Sequence, residues 1–312
     1  MTIQSNHVHC VVDADAAAAI ARGDFRPAIQ NFYATYGDDY DFLYIVHDQG
    51  GDYHFADLDE TRAQPAVRWS WITKEKVKVP ASGWWKTGKD DIRVGLRSET
   101  PTRLRGYAGF PGLARQQGPT IHETAHAWAN FLDVPGFAEE QTHWGFTGVN
   151  GSLGGFDPGT LRDAATGGEI TAETRTVRVA AFGPATSNDG KGYGKLELYL
   201  MGLIPPSDVP DTIVLKDPQV KDWKAAEFEI SISGHSKITI ADVIAAHGQA
   251  VLLQQPAYRG AFILVTPEPD DAAATRVERW AQVFGGELQG DNGLLSFADA
   301  TGGLATMNTR LA

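Results

Sequence analysis

The chain has 312 residues, 42% of them hydrophobic and 21% charged, with 34 Gly and 16 Pro; this suits one large domain or two smaller ones around a sizeable core and excludes a fibrous repeat. Its 39 acidic and 27 basic residues leave a formal charge of −12, which repels phosphate backbones and anionic membrane surfaces, so nucleic acid is not an expected partner. The single cysteine, Cys10, forbids an internal disulfide and leaves packing or a bound metal to supply stability.

No apolar run approaches the roughly 18 residues of a membrane span, and the start MTIQSNHVHC has neither the basic nor the apolar region of a secretion leader. The expectation is a soluble protein, either cytoplasmic or secreted with its leader removed. Residues 13–22 read as a short helix closed by Gly23, and 25–36 as a second. Residues 40–47 form a compact run of aromatic and β-branched side chains between acidic and glycine clusters, the pattern of a buried strand. Further strands are expected at 67–72 and at 76–79, where Lys and Val alternate as in a half-buried edge. Trp84 and Trp85 sit in a glycine-flanked turn that their burial would anchor.

Residues 106–118 read as a glycine-rich loop, after which Pro119 and Thr120 start a helix running to about residue 132. Ile121, Ala125, Trp128 and Leu132 fall on one apolar stripe of it. From 135 to 192 the composition is loop-like, with a brief strand at 176–181; so long an irregular stretch in a compact domain is usually functional. Residues 195–203, KLELYLMGL, form a short, mostly apolar helix ended by Gly202 and Pro205. Beyond it, 213–215, 227–233, 238–240 and 261–265 read as strands, and 242–247 and 270–284 as helices. The pattern is α+β, with a soft boundary near Pro205 dividing 1–204 from a C-terminal α/β segment, 205–312, or joining both in one compact unit.

The strongest chemical signal is H-E-T-A-H at 122–126, inside a segment read as helical on independent grounds. Residues four apart on a helix share a face, so His122 and His126 can reach one Zn²⁺ at roughly 2.0 to 2.1 Å. Glu123 lies beside them and can take a proton from water that the metal activates. Nine histidines in the chain make a chance match rare, on the order of one such chain in a hundred.

The HETAHAW helix, preceded by the compact strand YDFLYIV and followed by a glycine-rich region, resembles the active-site half of zincin metalloproteases. The resemblance spans roughly a third of the chain and implies a mixed sheet, an active-site helix and a C-terminal subdomain closing a cleft. It also implies that His122 and His126 bind zinc, that Glu123 polarises the attacking water, that a third ligand comes from downstream, and that the activity is cleavage of internal peptide bonds in a protein or peptide substrate. The metzincin continuation fails, because Ala129 and Leu132 stand where its glycine and third histidine belong. Two downstream residues remain as third ligand, His143 in a THWG loop and Glu197 in the second helix. His143 is preferred, with Met201 then the counterpart of the methionine under the metzincin zinc. Glu197, among Leu196, Leu198, Leu200 and Met201, is a buried carboxylate that needs a partner and serves as the alternative ligand or as support for one.

Weaker features include Tyr193 and Tyr199, whose hydroxyls can stabilise an oxyanion but more often pack. Residues 187–194 are rich in oxygen ligands without calcium-loop spacing, and His47, His54, His235 and His247 read as structural. Two rival functions are a metal-stabilised binding protein for a glycan or protein surface, with Trp69, Trp71, Trp84 and Trp85 as its platform, and a zinc hydrolase of non-peptide amides. An intact Glu123 favours catalysis, since a purely structural site has no use for it.

Overall fold

A computed structural model describes residues 5–48, 54–57, 103–111, 119–129, 132, 134, 137, 143–180, 189–220 and 227–312. The strands expected at 67–72 and 76–79 and the tryptophans at 69, 71, 84 and 85 lie outside the described residues.

The chain opens with β1 (Val8–Val12), followed by α1 (Ala14–Ala21) and α2 (Arg26–Tyr33). Asp13 caps α1 by accepting from the backbone N–H groups of Asp15 and Ala16, and a proline occupies the first turn of α2. Next come β2 (Phe42–His47), β3 (His54–Asp57) and β4 (Gly106–Pro111), then the metal-motif helix α3 (Thr120–Ala125). β5 (Arg162–Asp163), β6 (Thr176–Ala180) and α4 (Lys195–Leu200) follow, then β7 (Thr212–Lys216), β8 (Gln219–Val220), β9 (Glu227–Ser231) and β10 (Gly234–Ile238). The chain ends with α5 (Ile240–His247), β11 (Ala257–Thr266), α6 (Asp271–Phe284), α7 (Phe297–Ala300) and β12 (Thr306–Asn308).

The fold is mixed α+β. The main sheet runs β1-β11-β2-β4-β3, with β12 beside the start of β11. β1, β11, β2 and β4 are mutually parallel, and β3 joins β4 antiparallel at the edge. Parallel strands covered on both faces read as near-continuous apolar runs, and β2 is buried throughout. Its Phe42, Tyr44 and Val46 enter the core that holds Ile121, Ala125, Trp128, Tyr199, Trp280 and Phe284, whereas Leu43 and Ile45 face Ile20, Phe25, Ile29 and Phe32 on the opposite side. A smaller antiparallel sheet, β5-β6-β9-β8, closes over Phe156, Val177, Val179 and Ile230, and β7 pairs antiparallel with β10. Segments 1–204 and 205–312 share the main sheet, because β11 lies between β1 and β2. Among the described residues no helix is long and apolar enough to cross a membrane.

Several boundaries differ from the sequence expectations for local reasons. Residues 106–111, expected as loop, form β4: Tyr107 packs to one face and Ala108 and Phe110 to the other, an alternation that Gly106 and Gly109 conceal. Helix α3 stops at Ala125 instead of near 132, because the next amides reach back three residues: His126 N–H to Glu123 C=O at 3.3 Å, and Ala127 N–H to Thr124 C=O at 3.1 Å. The stripe of Ile121, Ala125, Trp128 and Leu132 is nonetheless buried. α4 ends at Leu200 because Gly202, at φ 74, permits the Schellman pair of bonds, Gly202 N–H to Tyr199 C=O and Leu203 N–H to Leu198 C=O. The strand expected at 238–240 lies earlier, at β10, since Thr239 and Asp242 exchange bonds as a capping box that starts α5.

Candidate metal centre

A helix of six residues has little stability of its own, and α3 is held from outside. At its start the Asp189 carboxylate accepts the Ile121 N–H at 2.7 Å, satisfying one of the amides a helix leaves free there. The Tyr193 hydroxyl donates to the Ile121 carbonyl at 2.9 Å, and Trp280 Nε1 donates to Thr120 Oγ1 at 2.6 Å. Thr124 Oγ1 gives its proton to the Thr120 carbonyl at 2.6 Å, so Tyr44, 3.1 Å from the same oxygen, is the donor in that contact.

The second element is the loop 143–156, pinned by a single carboxylate. Glu197 is fully buried, and each of its oxygens takes two N–H donors: Oε1 accepts from Trp144 Nε1 at 2.7 Å and Leu153 N–H at 2.8 Å, Oε2 from Ser152 N–H at 2.9 Å and Gly194 N–H at 2.7 Å. Burial pushes its pKa up and these four bonds oppose the shift. Gly151 is dictated by the same carboxylate, which a Cβ at that position would overlap.

These two elements bring three imidazoles together. Ring centroids are 4.9 Å apart for His122 and His126, 5.0 Å for His122 and His143, and 5.2 Å for His126 and His143. One nitrogen from each lies within 4.8 Å of the others. His122 Nδ1 donates to the Ser152 carbonyl at 2.9 Å, which leaves the Nε2 lone pair facing His143 Nε2 at 3.0 Å. Two nitrogens on a tetrahedral ion at 2.0 to 2.1 Å stand roughly 3.3 Å apart, so the donor set fits a metal ion. Ser152 orients His122 in the way outer carbonyls orient metal-bound imidazoles. Burial, then the neighbouring His143, lowers the His122 pKa to about 3, and a neutral ring is the form that binds metal. The three histidines, two of them buried and His143 half-buried, could hold a metal ion; Glu197 has its acceptor positions filled by N–H donors.

Glu123 is 3% exposed. Burial raises its carboxyl to about 8, with Asp189 as a second, smaller cause. The tyrosines weighed as oxyanion donors are engaged elsewhere, Tyr193 with Ile121 and Tyr199 in accepting the Ala250 N–H at 3.0 Å. Met201 is a buried core residue at the end of α4. His235 bonds the Thr171 carbonyl at 3.0 Å, and His47 packs edge-on to Phe25. Side chains of β3, His54 included, lie outside the described residues.

Sequence reasoning missed Asp189, Ser152 and Gly151 as parts of this centre. Asp189 falls in the 187–194 stretch, whose turn composition obscures an acceptor for a distant helix; Ser152 acts through its backbone, which no residue type discloses. The only available signal was the spacing of glycines around residue 151. No protein-family model, curated protein or solved structure matches the chain.

Proposed function

We propose that the chain is a zinc-dependent endopeptidase of zincin type, with His122, His126 and His143 holding the ion and Glu123 as general base. The observation that carries this reading is the convergence of the three imidazoles, with a buried carboxyl immediately after the first of them in sequence. A zinc ion there would supply Lewis acidity toward water and a carbonyl oxygen. Glu123 takes the proton of the attacking water and passes it to the leaving amine. Ser152 keeps His122 in the tautomer that presents Nε2, and Glu197 holds the loop from which His143 reaches the site.

The substrate is read as a peptide, whose extended backbone would pair with a strand near the motif helix; α3 packs against β3 and β4.

The test is Glu123→Gln, assayed for zinc content and for cleavage of casein and a peptide library, with and without a chelator. Zinc is expected to stay near one per chain while turnover falls ~10²- to 10⁴-fold, the loss typical of a missing general base. Undiminished cleavage by the variant removes Glu123 from the mechanism, and absence of chelator-sensitive cleavage in the parent removes the peptidase reading.

A further inference from the structure

One short stretch, 189–197, grips both halves of the metal centre without supplying any of its three imidazoles. Asp189, with no exposed surface, accepts the N–H of Ile121, and Tyr193 donates to the carbonyl of the same residue. Four residues on, Glu197 gathers the loop that carries His143 and Ser152. The stretch is itself fixed at the back, with Leu295 N–H bonded to the Asp189 carbonyl at 2.8 Å and Tyr193 N–H to the Ala300 carbonyl at 3.0 Å. Gly192 packs so closely there that a Cβ would stand 3.0 Å from the Ala300 carbonyl oxygen.

We propose that Asp189 and Tyr193 are positioning residues for the metal centre, setting the height and rotation of the turn that carries His122 and Glu123 against the loop held by Glu197. The proposal rests on the metal-site reading above. α3 spans only six residues and tightens to three-residue bonds at His126, Ala127 and Trp128, so its own hydrogen bonds do not fix where its imidazoles point. Ile121 immediately precedes the first histidine, and both of its backbone polar groups are held by the stretch that also locates His143. A constellation of this kind needs its members within about 0.5 Å of the working geometry. Holding the helix and the loop from one short piece of chain suppresses displacement of one against the other.

The experiment is a Co²⁺ titration of the chelator-stripped protein, read by affinity and by the visible d–d bands, on the parent, His126→Ala, Tyr193→Phe, Asp189→Ala and Asp189→Asn, with thermal unfolding of each metal-stripped form. Tyr193→Phe and Asp189→Ala are expected to weaken Co²⁺ binding by about tenfold or more and to change the band pattern, while Asp189→Asn, which keeps an acceptor oxygen, stays within about threefold of the parent. Parental affinity and spectrum in Tyr193→Phe and Asp189→Ala overturn the proposal. So does weakening that the unfolded fraction at the titration temperature fully accounts for. Failure of the parent to bind Co²⁺, or undiminished binding by His126→Ala, overturns the metal-site reading and the proposal with it.

Discussion

Replacing Glu197 by glutamine keeps the side chain's size and removes one acceptor oxygen. Each oxygen takes two donors, Trp144 Nε1 and Leu153 N–H on one, Ser152 and Gly194 N–H on the other. Whichever way the amide turns, its NH₂ group faces two N–H groups, so no flip rescues it. At about 1–3 kcal/mol for each buried donor left without an acceptor, the loss is roughly 2–6 kcal/mol. A neutral amide avoids the cost of burying a charge, the cause that holds the Glu197 carboxyl above its usual range, which offsets part of that loss. A net loss of about 3 kcal/mol is a large share of the ~5–15 kcal/mol that holds a native protein together. Urea unfolding of the metal-stripped variant measures it free of the stabilisation that metal binding adds. A loss below about 1 kcal/mol refutes the argument that these four bonds hold the loop.

His126→Ala and His143→Ala should strip zinc to a similar degree, because each leaves only two protein ligands; elemental analysis after dialysis checks this, and full occupancy in either variant removes that residue from the ligand set. Gly151→Ala drives a Cβ into the Glu197 carboxylate, so it should lower both the unfolding midpoint and zinc retention, and a parental midpoint counts against the packing. The Glu123 carboxyl, about 8 in the fold against an ordinary 4.5, favours the fold when protonated. Its contribution to the metal-stripped protein is complete below about pH 4.5 and is lost as pH rises through about 8. The unfolding midpoint of the metal-stripped parent should therefore fall from pH 5 to 8 more steeply than that of Glu123→Gln, and parallel profiles would contradict the assignment.

The parts of the molecule legible in the sequence were those where local pattern and tertiary environment agree. The run at 40–47 announces a strand buried on both faces, and the apolar stripe of the metal helix is buried even where the helix gives way to tighter turns. His122, Glu123 and His126 are legible because one helical turn sets their spacing. His143 was one of two candidates, since its approach depends on a loop whose course Glu197 sets from another element. β4 was hidden because glycines break its alternation, and the central place of β11 was hidden because strand order is a long-range property. Ser152 and Ile121 act through backbone atoms, to which residue identity is blind.

The position of β11 bears on the order in which the molecule can assemble. Residues 257–266 form the strand between β1 and β2, Arg259 N–H bonds the Asp41 carboxylate 218 positions away in sequence, and Trp280 donates to Thr120 in the metal helix. Until that late segment has emerged from the ribosome, β1 and β2 have no neighbour to join them and α3 lacks one of its restraints. Contacts of such sequence separation slow folding, because loop closure must precede the energy they return. The geometry of the candidate metal centre therefore waits on β11: a nascent chain halted before that strand displays the HETAH motif without the sheet that positions it.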